Sequence, residues 1–243
     1  NFTGGCNIPL FMPISTGFGD RRDGRDEVAS ARYIDTQINS AITDVMFPPQ
    51  DDWLLDYIID DGKKVEPMFY VPVLPISILE TTTTVSAGWN IQCWARNPKT
   101  VIDFVKIMID LDWEPGMPFK PTSLTGDPWL KPGMRCVVTQ YGNGGKVSEV
   151  CLGSYHYDHK NMTVTIDQLP LRIWSAPYVE YLLGDEKHPG KALVEDASDY
   201  TGNDKTHIEI QLVAGAYEKI MNDDQYGNGI IDPIEDYLEI KQQ

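Results

Sequence analysis

The chain has 243 residues, of which 42% are hydrophobic and 10% aromatic, enough apolar material for a real core in one large domain or two smaller ones. Thirty-six acidic against twenty basic residues give a formal net charge of -16, which excludes a protein that coats nucleic acid or an anionic membrane over most of its surface. Any nucleic-acid contact is therefore confined to a patch. Cys6, Cys93, Cys136 and Cys151 are scattered without a C-x-x-C pair, a pattern of reduced intracellular thiols rather than a disulfide framework. No apolar run approaches the ~20 residues that cross a bilayer, and no signal peptide opens the chain. A start at Asn1 rather than Met leads us to expect a segment of a longer polypeptide.

Taken in order, Ile8 to Phe11 is a short apolar run, and Pro13, Gly17, Gly19 and Gly24 make the next stretch a loop. Arg32 to Ile38 alternates, with Tyr33, Asp35 and Gln37 on one face and Ile34, Thr36 and Ile38 on the other, the period of a strand. A helix is expected from about Ser40 to Phe47, stopped by Pro48-Pro49, and a second from Asp51-Asp52 that carries Leu54, Leu55 and Ile58 inward. Pro67, Pro72 and Pro75 forbid helix and favour an extended course, and a domain boundary is placed there. Glu80 to Ser86 is threonine-rich, with the character of a β-edge, and Ala87-Gly88-Trp89 turns the chain. Thr100 to Trp113 carries enough apolar positions to bury a helix on most sides. From Met134 the pattern becomes β: Cys136 to Thr139, a Gly142-Asn143-Gly144-Gly145 turn, Val147 to Leu152, then Met162 to Ile166. A short helix at Tyr178 to Leu183, a polar loop through Asp204 and a strand from His207 to Leu212 complete an α+β region with an antiparallel meander.

The most informative stretch runs from Arg21 to Ile34. Arg21, Arg22, Arg25 and Arg32 put four arginines within twelve positions of an acidic protein and end on Tyr33, as a phosphate-facing patch would. A phenol has a pKa near ~10 and is a poor nucleophile at neutral pH, but an adjacent guanidinium can stabilise both the developing phenolate and the charge on an attacked phosphate. The bland alternative is a solvated arginine beside a half-buried ring.

Other candidates carry less. Asp224, Asn228, Gly229, Ile231, Asp232 and Glu235 fall at positions one, five, six, eight, nine and twelve of a calcium loop, but Tyr226 stands where a ligand is needed, and a polar turn before a helix from Pro233 reads better. His156 and His159 read as hairpin surface residues without a third metal ligand. No phosphate-binding G-x-x-x-x-G-K-[ST] loop occurs, and Asp51-Asp52 and Asp60-Asp61 read as caps or solvated faces.

The order Phe18-Gly19-Asp20-Arg21, Gly24-Arg25-Asp26, Ala29-Ser30-Ala31-Arg32-Tyr33-Ile34 resembles the active-site wing of type IIA DNA topoisomerases, particularly the eukaryotic and large-DNA-virus branch. That family usually reads Q-F-G-T-R, G-K-D and A-S-x-R-Y-I there. The likeness continues through Phe47-Pro48 with Asp51-Asp52, Val65-Glu66-Pro67 with Tyr70, Pro72 and Pro75, and Gly88-Trp89. It reaches Gln168-Leu169-Pro170-Leu171-Arg172-Ile173-Trp174 with Tyr181-Leu182-Leu183. Departures exist: Gly17 replaces a glutamine, Asp20 a threonine, and Thr83-Thr84-Val85-Ser86-Ala87-Gly88-Trp89 replaces E-G-I-G-T-G-W, with two glycines lost.

The resemblance implies an α+β fold in which residues 1–71 are the C-terminal part of a winged-helix domain and residues 72–243 a tower domain. It implies that Tyr33 attacks a DNA phosphodiester to leave a 5'-phosphotyrosyl link, that Arg32 braces the phosphate, that Arg21, Arg22 and Arg25 position the DNA backbone, and that Val85 wedges between base steps. It further implies a homodimer acting on double-stranded DNA inside the cell, in the nucleus or in the host cytoplasm if viral, with no membrane. Mg2+ and ATP serve the complete enzyme, held by metal-binding and ATPase modules outside this segment. The rival expectation is a non-catalytic acidic interaction domain, with calcium at Asp224 to Glu235.

Overall fold

The computed structural model describes residues 7–24, 28–117, 128–130, 132–141, 146–184, 188–202 and 205–242. They form two compact units that interleave along the chain: Cys6–Ser15 with Asp35–Trp129, and Thr16–Ile34 with Leu130–Gln243. A boundary at 71–72 therefore falls inside the first of these. The reason lies in the proline-rich stretch, which crosses that unit's core: Val73 N–H donates to the Met46 carbonyl at 2.8 Å, and Leu74 packs with Met46, Leu79 and Val101.

In this first unit β1 (Phe11–Pro13) pairs antiparallel with β2 (Thr36–Ile38), so the chain leaves and re-enters it at one place. Helix α1 (Ser40–Met46) ends before Pro48 as expected, since the residue preceding a proline is pushed out of the helical region. The second expected helix is instead a 3-10 turn, Pro49–Leu54, followed by the hairpin β3 (Tyr57–Asp60) and β4 (Lys63–Pro67). Asp61 and Gly62 both take positive φ, 45° and 73°, the turn an Asp-Gly pair favours, and it outweighs the apolar spacing. Leu54 and Ile58 consequently face solvent, at 61% and 43% exposed.

Beyond it lie α2 (Ile76–Leu79) and a second hairpin of β5 (Thr82–Ser86) and β6 (Trp89–Cys93). Helix α3 (Pro98–Asp110) is started by Asn97, whose side chain accepts from Lys99 N–H. Only Val101 of this helix is buried, while Ile109 is 71% exposed, so the expectation of burial on most sides is corrected: the core it joins is small.

The second unit is β-rich. Strands β7 (Arg135–Tyr141) and β8 (Lys146–Leu152) form a hairpin whose connecting turn at 142–145 lies outside the described residues. Next come β9 (Ser154–Asp158), β10 (Thr163–Gln168), α4 (Ser175–Leu183), β11 (Val194–Asp199), β12 (Ile208–Leu212), α5 (Ala216–Met221), α6 (Pro233–Tyr237) and β13 (Lys241–Gln242). One antiparallel sheet has the order β11-β12-β10-β9 and the other β13-β8-β7. The mixture of helices with small antiparallel sheets is the α+β class expected. Strand β11 was not foreseen, because Glu195, Asp196, Ser198 and Asp199 are poor strand formers. Pairing with β12 and burial of Ala197 against Ile208 and Ile210 override that preference.

Candidate active site

The arm from Thr16 to Ile34 belongs to the β-rich unit. Phe18 and Val28 form an antiparallel bridge, and Ala29 N–H donates to the Gly17 carbonyl at 2.9 Å, so the arm doubles back on itself. Asp20 turns its tip: its carboxylate accepts from Arg22 N–H and Asp23 N–H, and its carbonyl from Gly24 N–H, the local side-chain bonding that makes Asp a turn residue.

Tyr33 does not sit on a strand. Residues Ala31–Tyr33 form one 3-10 turn, closed by Tyr33 N–H donating to the Ser30 carbonyl at 2.9 Å. The alternation from Arg32 to Ile38 is real in sequence, but only Thr36–Ile38 finds a strand partner, and it is exposed throughout. With no sheet face to bury, the period-two signal has nothing to enforce it. The turn leaves Tyr33 70% exposed, and Arg32 places its Cζ 5.3 Å from the centre of the Tyr33 ring. An exposed cation–π contact of this kind holds the two together by about 0.5–1 kcal/mol. Chemically, the pair offers a phenolic oxygen to solvent with a permanent positive charge beside it.

The other arginines part company. Arg21 is buried at 9% exposed, and its guanidinium donates to the carbonyls of Ile173 (3.1 Å), Leu169 (2.8 Å) and Pro170 (3.3 Å) while lying 5.7 Å from the Trp174 ring centre. Desolvation lowers its pKa, offset in part by the neighbouring Cys151 thiol. Burial likewise raises that thiol's pKa. The expectation that Arg21 faces a DNA phosphate is thus not met: its donors are spent inward. Arg22 remains more than half exposed, with Nε 3.8 Å from Asp199. Arg25 lies outside the described residues. Val85 is 75% exposed and sits on β5 of the other unit, beside the tight turn at Ala87 and Gly88.

Sequence reasoning did not foresee the partners of Arg21. Backbone amides of Ser175 and Ala176 at the start of α4 donate to the carbonyls of Arg21 and Arg22, and Ser175 Oγ–H donates to Asp199 at 2.7 Å. The signal was present in Leu169-Pro170-Leu171-Arg172, a proline turn in which Arg172 takes φ +67° and the carbonyls converge, but nothing local announces its partner.

The calcium expectation is corrected. Asp232 accepts from Ile234 N–H and from the Tyr155 hydroxyl at 2.7 Å, and Glu235 accepts from Arg135 and from Asp232 N–H. The carboxylates a calcium loop would use are thus committed to capping α6. Burial, then the Asp232 bond, pushes the Tyr155 phenol far up. His156 pairs with Asp167 at 3.2 Å, and His159 packs edge-on to Tyr157 and Tyr217. Among the described residues no three His, Cys, Asp or Glu side chains are grouped to hold a metal ion, so the donor set for Mg2+ is not built from them. None of the described helices is long and apolar enough to cross a membrane.

This architecture is that of a topoisomerase II cleavage core: it superposes on the Plasmodium falciparum topoisomerase II DNA-binding, cleavage and re-ligation domain with a TM-score of 0.70 and 26% identity, over 100% of this chain and 30% of that one. The family model for the DNA gyrase/topoisomerase IV A-chain matches residues 1–229, and the chain belongs to that family. Similar proteins include DNA topoisomerase 2 of African swine fever virus (isolate Pig/Kenya/KEN-50/1950), 30% identical over 88% of this chain and 18% of the relative. Those of Arabidopsis thaliana and Drosophila melanogaster are 29% and 30% identical over 88% and 90% of this chain, and 14% of each relative. The chain thus spans less than a fifth of the curated relatives it matches.

Proposed function

We propose that this chain is the DNA-gate portion of a type IIA topoisomerase and that Tyr33 is its nucleophile. The Tyr33 oxygen attacks the phosphorus of a DNA phosphodiester, forming a 5'-phosphotyrosyl bond as the 3'-oxygen leaves and takes up a proton. One phosphodiester replaces another, so the step is nearly isoenergetic and reverses without an outside energy source while the ends are held. Arg32 stabilises the charge that grows on the phenolic oxygen and phosphate. Two copies in a homodimer cut both strands. The observation that carries this reading is the exposed phenol with the Arg32 guanidinium 5.3 Å from its ring, in a chain of this family.

Arg22 and Arg25 are assigned to the DNA backbone and the exposed Val85 to wedging between base steps. The arm is assigned to the winged-helix part and the β-rich sheets to the tower. Mg2+ and ATP belong to modules of the complete enzyme outside this chain, which works inside the cell, in the nucleus or a host cytoplasm. The test is a denaturing gel of the complete enzyme with end-labelled duplex and Mg2+. A covalent adduct is expected, and Tyr33→Phe abolishes it. An adduct that survives Tyr33→Phe, or none with the unaltered enzyme, refutes the reading.

A further inference from the structure

We infer that Arg21 is a positioning residue that locks the tyrosine-bearing arm to the start of α4, and not a DNA contact; the inference rests on the proposed role of Tyr33. Three independent contacts converge on one junction. The guanidinium reaches three carbonyls of Leu169, Pro170 and Ile173. The carbonyls of Arg21 and Arg22 accept from Ser175 N–H and Ala176 N–H, satisfying donors that a helix leaves open at its first turn. Gly24, at φ +67°, lies so close over Trp174 that an added Cβ would come within 2.3–2.5 Å of the indole ring.

The chemistry of the clamp is specific to arginine. A planar fork with five N–H donors can satisfy three carbonyls at once and still lie near an indole, whereas an ammonium presents three donors at one point. No described carboxylate is paired with Arg21, so the buried charge is balanced by carbonyl dipoles alone, a geometry that holds only while the Leu169–Ile173 turn stays in register. The tip of the arm is therefore fixed at Arg21 and Gly24, and its far side at the Phe18–Val28 bridge. From that base the chain runs directly to the 3-10 turn bearing Arg32 and Tyr33. Loss of the clamp frees the arm to tilt, and a tilt of about 1 Å at a reacting atom costs on the order of a hundredfold in rate.

The test uses the complete enzyme and separates DNA affinity from chemistry. Arg21→Met keeps the side chain's length and removes the donors; Arg21→Lys keeps the charge. For Arg21→Met the expected result is a DNA Kd within about twofold of the unaltered enzyme, an unchanged slope of log Kd against log salt, and a covalent adduct yield at saturating DNA reduced at least tenfold. Arg21→Lys restores only part of the yield, and Gly24→Ala, which strikes the same junction from the other side, reproduces the loss. If Arg21 instead contacts a phosphate, Arg21→Met lowers the salt slope by about one unit, and Arg21→Lys restores binding; that result, or a normal adduct yield, overturns the inference. Should Arg21→Met fail to fold, Gly24→Ala carries the same comparison. Tyr33→Phe in parallel keeps the two ideas apart: adduct lost in Tyr33→Phe but normal in Arg21→Met sinks only the clamp.

Discussion

Two tyrosines show how position decides the use of a phenol. Tyr178 is buried, its hydroxyl donates to the Leu238 carbonyl at 2.8 Å, and burial raises its pKa well above the ordinary value; it is a strut. Tyr178→Phe leaves that carbonyl unpaired in the core and is expected to destabilise the protein by about 1–3 kcal/mol, read from urea unfolding. Tyr33 stands in solvent beside Arg32, where an oxygen can be reached. Arg32→Lys keeps the charge but loses the planar fork, and is expected to lower adduct yield by roughly tenfold or more at saturating DNA. At this scale the sequence was legible for adjacency and blind to direction: the Arg32-Tyr33 dipeptide is visible in the text. That Arg21 turns inward depends on carbonyls some 150 residues away, which no local pattern encodes.

Among the elements, those with chemistry in their own residues were readable. Asp232-Pro233-Ile234-Glu235 starts α6 with a capping box and proline at the first helical position, and the same motif mimicked a calcium loop until its carboxylates were traced to their hydrogen bonds. Asp232→Ala removes the cap and the acceptor of the Tyr155 hydroxyl together, with an expected loss of about 2 kcal/mol or more by thermal unfolding. The β5–β6 hairpin turns through Ala87 at φ 46° and Gly88 at φ 83°, and alanine is strained there. Ala87→Asn gives the Asn-Gly pair this turn prefers, and is expected to stabilise the first unit by a few tenths to about 1 kcal/mol. The elements that escaped were those decided by neighbours: β11, held by β12, and the turn at Tyr33, released from strand because no sheet receives it.

In the molecule as a whole, distant segments are tied by few polar groups. Lys191 donates to Glu239 at 2.8 Å and Tyr181 to the same oxygen at 2.5 Å. Burial alone would raise the Glu239 carboxyl, but these two bonds outweigh it and hold it below the usual range, while Lys191, despite its own burial, is raised by its partners. The carboxylate's contribution is present above its unfolded pKa and lost as pH falls through the lowered one; the ammonium's is present below its unfolded pKa and lost as pH rises through the raised one. The stability difference between the unaltered protein and Glu239→Gln should therefore be flat from about pH 5 to about pH 10 and vanish on both sides. It should stay below about 1 kcal/mol, since Glu239 is half exposed. Synthesis imposes an order on the same molecule. The carbonyls that receive Arg21 follow it by 148 to 152 residues, a loop whose closure must await the far end of the chain. A nascent chain still on the ribosome carries Tyr33 on an unanchored tether. The nucleophile is set in place only once the β-rich portion has emerged, so truncated products are left without an aligned one.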